Sequence, residues 1–75
     1  MDAEQQKKAL PGLLQNMKDL ASSPMKLNAL TAYLSNKDNM QRLVKTFDKY
    51  GPQELSALYD AVNQIGKQNK GLVPP

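Results

Sequence analysis

Apolar periodicity predicts an all-α protein: a compact bundle of four short helices joined by tight turns, with a disordered or extended C-terminal tail. Three observations carry that expectation. Apolar residues recur at i, i+3 and i+4 in four successive stretches, and no stretch alternates as a half-buried strand does. Helix punctuation separates the stretches at Leu10-Pro11-Gly12, Ser22-Ser23-Pro24, Ser35-Asn36, Gly51-Pro52 and Gly66. A chain of 75 residues holds one small domain. The expected layout is a flexible N-terminal arm at 1–9, a single helical domain at 10–66 and a tail at 67–75.

In the arm, Asp2 suits a helix cap, because its carboxylate complements free N–H groups. The arm is otherwise polar, and fraying is expected. Proline is tolerated in the first turn of a helix and costs about 3 kcal/mol in its interior, so the first helix is expected over 11–21. Its inner stripe is Leu10, Leu13, Leu14, Met17, Leu20 and Ala21. Ser23 as N-cap and Pro24 at the first helical position start the second helix, over 24–34. Leu27, Leu30 and Leu34 form one line of it, with Tyr33 at the edge. Met25, Ala29 and Ala32 form a second line on the opposite side. A helix apolar on two sides is central in its domain or lies at an interface.

Two readings fit the next boundary. Ser35 with Asp38 resembles a capping box, and Asn36 suits a left-handed residue closing the second helix. The third helix is expected over 37–50, with Met40, Leu43, Val44 and Phe47 inward and Arg42, Lys45 and Lys49 on the opposite face. Gly51 suits the left-handed position past a helix, and Pro52 suits the start of a new one. The fourth helix is expected over 52–65. Leu55, Leu58, Tyr59, Val62 and Ile65 point inward, and Gly66 ends it.

Composition narrows the function. The chain has no cysteine and no histidine, which removes disulfides, thiolate chemistry and the commonest general base and metal ligand. The carboxylates are scattered and the glycines isolated, so no acid–base pair, metal set or phosphate loop emerges. No enzymatic activity and no cofactor are expected. The mean hydropathy is −0.61, and no apolar run is long enough to span a bilayer. Met1-Asp2-Ala3-Glu4 lacks the apolar run of a secretory signal, and a cytoplasmic location is expected.

The expected function is protein–protein interaction, as a regulator, adaptor, inhibitor or assembly subunit. Binding is assigned to the outer faces of the second and third helices: Met25, Ala29 and Ala32 on one, Arg42, Lys45 and Lys49 on the other. The expected partner is another protein or a second copy of the chain. Plainer accounts exist for both lines: a solvated basic helix face, and a second apolar line packed on the first helix or the arm. The alternative function is DNA binding by a helix-turn-helix built from the last two helices. There Gln53, Asn63 and Gln64 would read base edges. Glu54 and Asp60 would oppose phosphates, and the net charge of +3 is modest for a nucleic-acid binder.

Overall fold

The computed structural model describes residues 2–72. Among them are four helices and no strand: α1 (Ala3–Leu20), α2 (Pro24–Ser35), α3 (Lys37–Asp48) and α4 (Pro52–Leu72).

The first helix begins eight residues earlier than its proline suggests. Asp2 is its N-cap and accepts a hydrogen bond from the Gln5 N–H at 2.8 Å, while Glu4 sits in the first turn. Residues 3–9, expected as a frayed arm, are therefore helical. Pro11 lies inside α1 and deprives the Lys7 carbonyl of its i+4 donor. Both residues are exposed, so water can satisfy that carbonyl. Two contacts bind this leading half to the bundle. Lys7 Nζ lies 3.6 Å from Glu54 Oε1, and the Tyr50 hydroxyl donates to Gln6 Oε1. Burial of Leu10, Leu14, Met17 and Ala21 holds the rest. Leu13 and Leu20, placed in the same stripe from sequence, lie on its flank and remain 42% and 43% exposed.

Ser23 is the N-cap of α2, although its side chain makes no capping hydrogen bond. At the next boundary Asn36 takes a role that neither sequence reading gave it. Its φ is −77°, which is not left-handed, and its side-chain oxygen accepts from the Asn39 N–H at 3.1 Å to cap α3. The Asn39 amide then donates to the Tyr33 carbonyl at 3.1 Å, satisfying the end of α2. One short turn thus serves two helix ends.

The corner between α3 and α4 is Lys49-Tyr50-Gly51. Tyr50 and Gly51 donate to the carbonyls of Phe47 and Asp48, tightening the last turn. Gly51 then reverses the chain with a φ of +117°. Past it, α4 runs beyond the expected stop at Gly66 to Leu72, with Gly66 held inside the helix. Val73 and the two terminal prolines, assigned from sequence to the tail, lie outside the described residues.

The core consists of Leu10, Leu14, Met17, Ala21, Leu27, Leu34, Phe47, Leu58, Ala61 and Ile65. Phe47 and Leu58 are completely enclosed. Large aliphatic and aromatic side chains of this kind each contribute about 1.5–3 kcal/mol on burial. α2 and α4 each touch all three other helices, and α4, the longest, packs most extensively and forms the centre of the bundle. The Lys7–Glu54 pair at one end, and Lys18 beside Gln64 and Lys67 at the other, show that α1 and α4 run parallel. The result is a bundle of 43 × 21 × 18 Å, elongated along its two long helices. Its radius of gyration is 12.9 Å, against about 11 Å expected for a compact chain of this length.

Candidate interaction surface

The outward face of α2 is built by helical geometry. Leu27, Leu30 and Leu34 recur at i+3 and i+4 and turn that side of the helix into the core. Met25, Ala29 and Ala32 fall about half a turn away and are exposed. Met25 is 82% exposed, and Tyr33 is 47% exposed beside this line. The plainer account of these residues, internal packing, therefore does not hold. Lys26 is the one charged residue on α2. Thr31 is half-buried, and its hydroxyl has no hydrogen-bond partner among the described residues.

The outward face of α3 has the opposite chemistry. Phe47 is buried, with Met40, Leu43 and Val44 packed against the core. Arg42, Lys45 and Lys49 project from the other side and are exposed. Lys49 Nζ lies 5.8 Å from the centroid of the Tyr50 ring, a contact that orients this cation over the corner. Asp38, at the N-terminal end of the same line, and Asp48 dilute the positive field. α2 and α3 touch each other and both pack on α4, so the apolar and basic faces both turn away from the central helix.

Two of the grooves that flank α4 have floors of core or core-packed side chains. The first lies between α1 and α4, has a volume of about 290 Å³ and is lined by Leu10, Leu14, Phe47 and Ala57 among others. The Lys7–Glu54 pair stands at its end. That volume is at the lower limit of cavities that enclose a small organic ligand, which run from about 300 Å³ upward. The second lies between α3 and α4 and is wider, about 630 Å³, lined by Lys37, Met40, Gln41, Val44, Lys45 and Tyr59.

The α3/α4 groove escaped the sequence reading. Tyr59 was placed inward with Leu55 and Leu58, yet it is 45% exposed and forms a groove wall, while Ala61 takes the buried position. Tyr59 sits at the edge of its helical stripe. Only the approach of α3 decides whether such an edge position is enclosed. Of the six residues assigned to binding, Lys45 alone joins this groove.

Among the described residues no group of three or more carboxylates converges on a point. No helix among them is long and apolar enough to cross a membrane. Comparison with known protein families, curated proteins and solved structures returned no match for the chain.

Proposed function

We infer that the chain is a non-enzymatic protein-interaction module that binds through the outer faces of α2 and α3. The observation that supports this reading most is the outward face of α2. It presents Met25, Ala29, Ala32 and Tyr33 to solvent with a single charge, Lys26, beside them. An exposed methionine gains about 1.5–3 kcal/mol when a partner encloses it, and its flexible thioether adapts to irregular surfaces. The face of a 12-residue helix is about 18 Å long. At a helix width of about 10 Å that face covers about 180 Å², well short of the ~800 Å² which each side of a stable complex contributes. The adjacent basic face of α3 supplies the remaining area and steers a partner of complementary charge. The module acts as a regulator, adaptor, inhibitor or assembly subunit, and its partner is another protein or a second copy.

The alternative is DNA reading by α3 and α4. The three-residue corner and the exposed Gln53, Asn63 and Gln64 favour it. The exposed Asp60, and Glu54 already paired with Lys7, argue against it.

One experiment separates the readings. Tagged wild-type protein and a Met25→Glu/Ala32→Glu variant are used to capture partners from an extract of the native host. Both changes are on the surface and should shift stability by no more than about 0.5 kcal/mol each. The expected result is a defined protein retained by the wild type and lost with the variant. In parallel, duplex DNA is titrated at low and moderate salt. Capture unaffected by the variant, together with DNA affinity that falls steeply with salt, would transfer the function to α3 and α4.

A further inference from the structure

With the chain read as a binding module, we propose that the α3/α4 groove is a docking site for an amphipathic helix whose apolar stripe is flanked by carboxylates. Lys37, Gln41 and Lys45 stand four residues apart along one wall of the groove. The two lysines are thereby rooted two helical turns apart, about 12 Å along the axis. Met40 and Val44, partly buried, form an apolar floor one turn long, and Tyr59 of α4 closes the far side. A helix with carboxylates two turns apart meets both lysines while its apolar side chains reach Met40, Val44 and Tyr59. This arrangement follows the helix-in-groove mode of recognition.

Charge selects the occupant. The groove is lined by two cations and no carboxylate. The nearest acids on α3 are Asp38, next to Lys37, and Asp48, one turn beyond Val44 towards the corner. A second copy of the chain is a poor occupant: its exposed α2 face carries Lys26 and no carboxylate, and beside the exposed Leu13 and Leu20 of α1 stands Asp19 alone, not two carboxylates two turns apart. The Tyr59 hydroxyl at the far wall adds a polar contact for the partner's flank.

The test uses three synthetic peptides of about 14 residues, or four turns. One carries a leucine stripe with Glu on the polar face, the second the same stripe with Lys, and the third is a scramble of the first. Binding is followed by calorimetry and by methyl and aromatic NMR shifts of the intact chain. The Glu peptide should bind and shift Met40, Val44 and Tyr59. The Lys peptide should bind about tenfold more weakly. Lys37→Glu/Lys45→Glu should reverse the preference. Tyr59→Phe should retain binding of the Glu peptide and Tyr59→Ala should lose most of it, with melting temperatures recorded for each variant. Met25→Glu/Ala32→Glu should leave peptide binding unchanged, which keeps this site separate from the α2 face. The proposal is overturned if the Glu peptide shows no binding at about 1 mM. It is equally overturned if Glu, Lys and scrambled peptides bind alike, or if the shifts fall on α2 instead.

Discussion

Gly51 and Phe47 determine the corner on which α3 and α4 meet. At a φ of +117° a side chain is strained whatever space surrounds it, and a Cβ added at Gly51 would meet only Glu54 Oε2 at ordinary contact distance. Backbone conformation, and not crowding, is therefore the reason for glycine. Gly51→Val should destabilise the protein by about 2 kcal/mol, lowering Tm by roughly 10 °C for a chain of this size. Thermal unfolding followed by circular dichroism checks this, and an unchanged Tm would refute the corner's geometry. This position was legible in the sequence because the pair Gly-Pro has one economical placement: past one helix and at the start of the next. Asn36 was less legible. Asparagine serves equally as a left-handed C-cap and as an N-cap, and the choice depends on whether Asn39 finds a carbonyl on the preceding helix, as it does at Tyr33.

At the scale of the element, local breakers gave way to tertiary contacts. Pro11 with Gly12, and Gly66, were read as helix limits, yet both lie inside helices. A missing N–H and a flexible glycine cost α1 a few kcal/mol at most. Burial of Leu10, Leu14 and Met17 and the links from Gln6 and Lys7 to the corner offset that cost. None of these contacts is visible in a window of the chain. A Cβ at Gly12 or Gly66 would meet nothing within 4 Å, and the φ of neither is positive. Gly66→Ala should therefore stabilise the protein by about 0.5–1 kcal/mol and raise its helical circular dichroism. Gly12→Ala should do the same. If Gly66 instead ended α4 in a left-handed turn, alanine there would destabilise. The sign of the change in Tm decides between the two.

For the whole molecule, fold class was legible and surface function only partly so. Helical periodicity alone divided the inside of each element from its outside, so most of the core could be named, including Phe47, Leu58 and Ile65. The outward lines Met25-Ala29-Ala32 and Arg42-Lys45-Lys49 followed from the same periodicity, and all six residues are exposed. The α3/α4 groove is a property of two helices together. Met40, Val44 and Tyr59 meet only because the corner folds α3 back along α4. The proposed binding of protein through the face of α2 can be trapped covalently. Photo-crosslinking in the native host tests it most directly, with a benzophenone side chain placed at Ala29 in one protein and at the exposed Asp60 of α4 in another. The expected result is a discrete covalent protein adduct, hetero-oligomeric or dimeric, from position 29, whether or not position 60, beside the groove wall Tyr59, also yields one. Adducts confined to position 60, or formed only with nucleic acid, would contradict it.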